Sequence, residues 1–132
     1  MVGRAERLKG HNFERQVVHA LRWIFDRCAR GFQTRGGTGE EPDVTNTPFY
    51  IECKASKNMP SVRGALVQAT EGTDGRIPVA ICKKDREEPI VGMYMKHWLY
   101  QLEHGILNPK GCARCSHKGE LPAGWKDYND KA

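Results

Sequence analysis

The sequence predicts one α/β domain in which helices pack on a single central β-sheet. Apolar residues recur at steps of three and four over residues 11–29, which is typical of an amphipathic helix. Two short strand-like segments flank a Thr-Pro turn within residues 43–55, and residues 77–84 form a strongly apolar strand. Strands and helices that alternate in this way predict a mixed sheet with helices packed on it.

The N-terminal half contains a helix, a short strand and a hairpin. The predicted helix begins near His11 and ends near Ala29, because Gly31 is a stop signal just beyond it. GFQTR (31–35) is predicted to be a strand, and a glycine-rich loop leads from it to the hairpin. The predicted apolar stripe of the helix consists of Phe13, Val17, Ala20, Leu21, Ile24 and Cys28.

The C-terminal half begins with a helix that Ser61 could cap and that ends near Gly72. Its last predicted helix, KHWLYQLEHG, supplies Trp98, Leu99 and Leu102 for burial. Between these two helices lie two predicted strands, IPVAICKK (77–84) and IVGMYM (90–95).

The length of 132 residues indicates one folding unit, here residues 1–107, followed by a basic, Cys-containing tail at 108–132. No apolar run approaches the roughly 20 residues that span a membrane. The N-terminus lacks the apolar core of a secretory signal. The sequence therefore predicts a cytoplasmic protein without a membrane partner.

The chain carries 21 basic and 16 acidic residues, a formal charge of +5, which favours a polyanionic partner. Cys28, Cys53 and Cys82 lie in apolar segments and are predicted to be small core residues. An intracellular chain with this cysteine usage does not indicate a disulfide framework.

The predicted strand at 49–55 has two different faces, because successive side chains alternate. A tight hairpin would bring Asp43, which follows Pro42, close to Glu52 and Lys54. The simpler alternative is a solvent-exposed strand face with a neutralising Glu-Lys pair. One face carries Phe49, Ile51, Cys53 and Ala55, and the other carries Tyr50, Glu52 and Lys54.

Converging carboxylates predict a cation between them. Asp43 and Glu52 would repel each other, and a cation relieves that repulsion. Oxygen ligands of this kind suit Mg²⁺ or Mn²⁺. Glu14 shares a helix face with Val18 and Leu21 at the border of the buried stripe, so it is a candidate third carboxylate. The alternative for Glu14 is a first-turn glutamate favoured by the helix dipole.

Three stretches, KGHNFERQVVHALR, GFQTRGGTGEEPDV and YIECKAS, together resemble the PD-(D/E)XK nuclease superfamily. The closest likeness is to archaeal Holliday-junction resolvases and similar small phage enzymes, over residues 9–95. The resemblance implies a restriction-endonuclease-like core, with a central mixed sheet flanked by helices in the order αβββαβ.

The resemblance also implies roles for individual residues. Asp43 and Glu52 would ligate Mg²⁺ with the backbone carbonyl of Cys53, and Glu14 would complete the site directly or through water. Lys54 would position or activate the attacking water. Gln68 matches a position at which such enzymes often place a polar active-site residue. Thr38 stands where the resolvase branch usually has a serine, and keeps its hydroxyl.

Several basic residues surround the predicted site in sequence and are candidates for contacts with DNA phosphates. Each could equally be an ordinary solvated cation. The candidates for DNA binding, with Thr38, are Lys9, Arg15, Arg35, Lys57 and Arg63, preceded by Arg4 and Arg7.

The tail contains Cys112 and Cys115 in a Cys-x-x-Cys pair, followed by His117. Structural Zn²⁺ normally needs four ligands, so these residues are only part of a zinc site that His97 or His104 could complete. The alternative is a flexible basic tail with two thiols.

The sequence as a whole predicts a Mg²⁺-dependent, structure-selective DNA endonuclease of recombination and repair, most simply a Holliday-junction resolvase. Paired cuts in a two-fold symmetric junction imply a homodimer. The apolar stretch at 90–102 is either its interface or core. Alternatives are a nuclease acting on nicked, flap or other repair substrates, a non-catalytic nucleic-acid-binding module, and a zinc-ribbon-like interaction protein.

Overall fold

The computed structural model describes residues 3–31, 41–73 and 75–104. Its helices are α1 (Arg4–Leu21), α2 (Val62–Gly72) and α3 (Met95–His104). Its strands are β1 (Ala29–Arg30), β2 (Val44–Thr45), β3 (Phe49–Ser56), β4 (Ile77–Lys84) and β5 (Ile90–Gly92).

The five strands form one mixed sheet in the order β1-β2-β3-β4-β5. Strands β3 and β4 are parallel, and the other neighbours are antiparallel. A parallel pair needs a crossover connection, which α2 provides between β3 and β4. The structure confirms the predicted α/β class, and the strongly apolar strand β4 lies in the interior of the sheet. The first six elements follow the order αβββαβ.

The two faces of the sheet are covered by different helices. The predicted alternation in β3 is confirmed, because Ile51 and Cys53 pack in the cluster beneath α1. The opposite face is not solvent-exposed, since Tyr50 and Glu52 are buried on the side of α2. Cys28, Cys53 and Cys82 are buried free thiols, as predicted.

Helix α2 begins and ends where the sequence predicts. The hydroxyl of Ser61 accepts a hydrogen bond from the backbone N–H of Gly64 at 2.9 Å, which satisfies one donor of the first turn. Ala65 and Ala69 are buried against the sheet, and their small size allows α2 to approach β3 and β4 closely.

The predicted bounds of the first helix are wrong. Helix α1 starts at Arg4 and ends at Leu21, where the backbone N–H groups of Ile24 and Phe25 both donate to the Leu21 carbonyl and the chain turns. Because of this turn, Phe25 and Cys28 are buried, whereas Ile24 leaves the predicted stripe and is exposed. Of the predicted strand at 31–35, only Gly31 lies within the described residues.

The predicted burial of Trp98, Leu99 and Leu102 is also wrong, since all three side chains are exposed. Helix α3 follows the edge strand β5, and α1 and α2 already cover the two faces of the sheet. The residue of α3 that is buried is instead Gln101. Among the described residues, no helix combines the length and the apolarity needed to cross a bilayer.

Gly31 is required for the close approach of β1 to the segment before β2. A Cβ atom built there would lie 1.9 Å from the backbone oxygen of Pro42, and backbone cannot move aside as a flexible side chain can. We expect Gly31→Ala to destabilise the protein by about 1–3 kcal/mol, measured by urea unfolding. Gly10→Ala, inside α1 with nothing within 4 Å of the new Cβ, should instead stabilise by about 0.5–1 kcal/mol. Equal stability of the Gly31 variant and the unmodified protein would contradict this account.

Candidate active site

Asp43 is held by three hydrogen bonds at the start of β2. Its backbone N–H donates to the Ile51 carbonyl at 2.9 Å, and its own carbonyl accepts from the N–H of Gly31 at 2.9 Å. Its side-chain Oδ2 accepts from the backbone N–H of Cys53 at 2.8 Å. The hairpin therefore brings this buried carboxylate to the middle of β3, as the sequence predicts.

Glu52 is buried on the opposite side of the same strand from Cys53 and is oriented by two donors. Its Oε1 accepts from Nε2 of Gln68 on α2 at 2.8 Å. Nζ of Lys54 lies 3.1 Å from the same oxygen. The structure thus brings Lys54 and Gln68 into direct contact with Glu52, and both of these partners are more exposed than the buried glutamate.

The charges around Asp43 are not balanced. The pKa of its carboxyl is raised from 3.8 to about 7, chiefly by burial and then by the nearby carboxylates of Glu52 and Glu14. The Cys53 N–H and the charge of Lys54 oppose this shift without cancelling it. The three carboxylates, named here the carboxylate cluster (Glu14, Asp43, Glu52), therefore favour a proton or an additional cation.

Glu14 lies on the core-facing side of α1 and is not a solvated first-turn glutamate. Its Oε2 accepts from Nε of Arg30 at 3.0 Å and lies 2.9 Å from Nη2 of the same guanidinium. Sequence reasoning missed Arg30, because a two-residue strand gives almost no periodicity. The sequence feature that could have identified Arg30 is its position directly before Gly31, the predicted stop signal of the first helix.

The donor chemistry of Asp43 and Glu52 fits a hard divalent cation. Both are buried carboxylates, and the oxygen ligands that they supply suit Mg²⁺ or Mn²⁺. The Cys53 thiol is a poor ligand, because burial and the charge of Asp43 raise its pKa, so only its backbone carbonyl is available. Within residues 3–31, 41–73 and 75–104, no three His, Cys, Asp or Glu side chains are grouped closely enough to hold a metal by themselves.

The predicted DNA-binding residues occupy different positions. Nζ of Lys9 pairs with Asp85 at 2.7 Å, beside the turn after β4. Arg15 donates to the Asn12 side chain at 3.0 Å. Lys57 and Arg63 are exposed between β3 and the first turn of α2, and Arg4 and Arg7 are exposed at the start of α1. Four predicted site residues lie outside the described ranges, namely Arg35, Thr38, Cys112 and Cys115.

A cavity of about 490 Å³ lies beside the cluster and has a strongly basic lining. Three guanidinium groups and an imidazole line it, and none of its described lining residues is a carboxylate. Sequence reasoning included only Arg15 of this group, because the others come from the end of α1 and from β1. We call it the basic cavity, and its lining residues are Arg15, Val18, His19, Arg22 and Arg30.

Comparison with known proteins finds no matching protein family, no matching curated protein and no matching solved structure.

Proposed function

We propose that this protein is a divalent-metal-dependent endonuclease that hydrolyses phosphodiester bonds in DNA, built on a restriction-endonuclease-like core. The supporting observation is that buried Asp43 accepts a hydrogen bond across the hairpin from the N–H of Cys53, the residue after buried Glu52, which Lys54 contacts. Burial, together with the charge of Glu52, raises the pKa of Asp43 to about 7, which is unfavourable for a merely structural pair and suits a cation site.

Each of these residues has a distinct task. Asp43 and Glu52 would hold Mg²⁺, with Glu14 adding negative charge. The bound ion supplies Lewis-acid stabilisation of the charge that develops on the phosphate. Lys54 is accessible enough to contact a phosphate or orient a water, and Gln68 fixes the carboxylate of Glu52 through its amide. Because these side chains are preorganised by the sheet and α2, little reorganisation is needed when charge develops.

Branched DNA, most simply a four-way junction, is the proposed substrate, and a homodimer is the proposed assembly. Exposed apolar side chains on β5 and on α3 support a second copy as partner, because exposed apolar groups of this kind are often buried in an interface. Paired cuts in a symmetric junction require a symmetric dimer. We place its interface on the edge strand β5 and on α3. The exposed residues there are Ile90, Val91, Met95, Trp98, Leu99, Tyr100 and Leu102.

Cleavage of a labelled substrate panel tests this function. We expect paired symmetric cuts in a four-way junction with Mg²⁺ or Mn²⁺, at least about tenfold faster than in linear duplex, and none in EDTA. If a flap, fork or nicked duplex were cleaved faster than the four-way junction, that DNA would be the preferred substrate instead of the junction. Tight DNA binding without cleavage of any substrate, in either metal, would exclude the nuclease and favour a non-catalytic binding module.

A further inference from the structure

We infer that the basic cavity binds a phosphate of the DNA backbone, and that Arg30 couples this binding to the cation affinity of the carboxylate cluster. The inference rests on the proposed function, because it assigns a second subsite to the same DNA and a way for that DNA to strengthen the metal site.

Two of the cavity arginines are oriented before any ligand arrives. Arg15 donates through Nη1 to the Asn12 side chain at 3.0 Å, and Arg22 donates through Nε to the Cys28 carbonyl at 3.2 Å. A guanidinium has five N–H donors, so one contact restrains the side chain and leaves donors for a phosphate. Preorganised donors of this kind lose little side-chain entropy when an anion binds.

The lining chemistry selects an anion with several acceptor oxygens. Arginine matches phosphate geometry through paired N–H groups, and the imidazole of His19 adds a further hydrogen-bonding group at the wall. A volume of about 490 Å³ admits a backbone phosphate with its sugar, whereas the open, charged lining is unsuited to a buried apolar ligand.

Arg30 belongs to both sites. It lines the basic cavity, and it also places Nε and Nη2 on Glu14 Oε2 at 3.0 and 2.9 Å. In this arrangement Arg30 offsets the negative charge of Glu14, which acts electrostatically on Asp43. Backbone pairing places Arg30 opposite Val44, the residue directly after Asp43.

A phosphate in the basic cavity would compete with Glu14 for the positive charge of Arg30. With that charge shared, Glu14 contributes more of its negative charge to the cluster, and a divalent cation binds more tightly. Linkage makes the effect reciprocal, so the cation also tightens DNA binding by the same factor. The protein thereby has its highest metal affinity only when DNA is seated.

Binding of a fluorescent four-way junction in EDTA tests the phosphate subsite without any need for cleavage. We expect Arg22→Gln combined with His19→Asn to weaken binding about tenfold and to reduce the salt slope by about one. The matched control Arg86→Gln removes an exposed arginine from the turn after β4 and should change affinity less than about twofold. If the double variant and Arg86→Gln lost the same amount of DNA affinity, binding would depend only on overall charge, and the basic cavity would not be a phosphate subsite.

Competition with inorganic phosphate distinguishes DNA from the free anion as the ligand of the cavity. Inorganic phosphate should displace the junction only at a concentration far above that of the DNA. Displacement at an equal concentration would make the cavity a site for the free anion.

Calorimetric titration with Ca²⁺, with and without uncleaved junction, tests the coupling. We expect DNA to tighten Ca²⁺ binding at least about fivefold in the unmodified protein. Arg30→Gln should bind Ca²⁺ more tightly than the unmodified protein when DNA is absent, and DNA should increase its Ca²⁺ affinity by a clearly smaller factor. If DNA increased the Ca²⁺ affinity of this variant by the same factor as in the unmodified protein, the coupling would be overturned. Arg86→Gln, which removes an exposed arginine far along the chain from the cavity residues, should keep both the DNA-free Ca²⁺ affinity and the effect of DNA, and a change in either would count against the coupling.

The proposed function and the cavity fail in different ways. Absence of DNA binding by the unmodified protein would remove both. Junction cleavage that survives with unaltered affinity in the Arg22 and His19 variant would remove the basic cavity alone.

Discussion

Asp43→Asn is expected to reduce the rate of DNA cleavage at least about 10³-fold, which corresponds to roughly 4 kcal/mol of transition-state stabilisation. The asparagine keeps an acceptor for the Cys53 N–H, so the hairpin is preserved while the negative charge is lost. Glu52→Gln should have a similar effect, because it also keeps an acceptor for Gln68 and removes a charge from the cluster. Single-turnover cleavage of the preferred substrate at saturating protein measures both.

Matched controls separate the site from general loss of charge. Asp85→Asn and Glu88→Gln change the same functional groups at accessible positions around the turn after β4, and their cleavage rates should stay within about twofold of the unmodified protein. DNA affinity in EDTA should survive in both the Asp43 and Glu52 variants, since binding depends chiefly on cationic groups. Cleavage at an undiminished rate by Asp43→Asn would show that this carboxylate has no part in the reaction.

Asp43→Asn is also expected to stabilise the metal-free protein, by an amount that grows with pH. The folded-state pKa of Asp43 is about 7 against an ordinary value of 3.8. Folding therefore favours the protonated carboxyl, and stability is lost as pH rises from about 4 through about 7. The difference between these two pKa values corresponds to a loss of at most roughly 4 kcal/mol in the free energy of unfolding above pH 7. The asparagine variant avoids this loss. Urea unfolding in EDTA between pH 4 and pH 8.5 measures the difference.

Two comparisons make this result specific to the carboxylate cluster. The pKa of Asp85 is lowered below 3.8 by its hydrogen bond to Lys9, so any pH dependence of Asp85→Asn has the opposite sign and falls near and below pH 4. Between pH 5 and pH 8.5 its difference from the unmodified protein should stay constant. Adding Mg²⁺ at pH 8 should stabilise the unmodified protein and have a much smaller effect on Asp43→Asn. A difference between Asp43→Asn and the unmodified protein that stays constant with pH would mean that Asp43 is not held under electrostatic strain.

Short-range patterns in the sequence were sufficient to predict the hairpin and the two faces of β3. A Pro-Asp pair, a Thr-Pro turn and a strict alternation of side chains each act over a few residues, and the structure pairs Val44 with Ile51 accordingly. The Ser61 cap is equally local, because one hydroxyl and one N–H three residues later determine it. These features place Asp43 beside the middle of β3 without knowledge of the rest of the fold.

The features that sequence reasoning missed depend on tertiary context. Helix α3 has apolar side chains, but whether they are buried depends on which sheet faces α1 and α2 already occupy. The ion pair between Glu14 and Arg30 depends on the turn after Leu21, which returns the chain to α1. The pKa of Asp43 depends on burial and on two other carboxylates, so it has no signature in the local sequence.

The contacts that assemble the site close short loops, and this has a consequence for folding. Asp43 and Cys53 are 10 residues apart, and both Glu14–Arg30 and Glu52–Gln68 span 16 residues. The pair Lys9–Asp85, by contrast, spans 76 residues. Loop-closure entropy rises with the logarithm of loop length, so each site contact costs about 1.4–1.8 kcal/mol less to close than that long-range pair. The chain can therefore form each part of its carboxylate site from neighbouring segments, before its most distant segments have met.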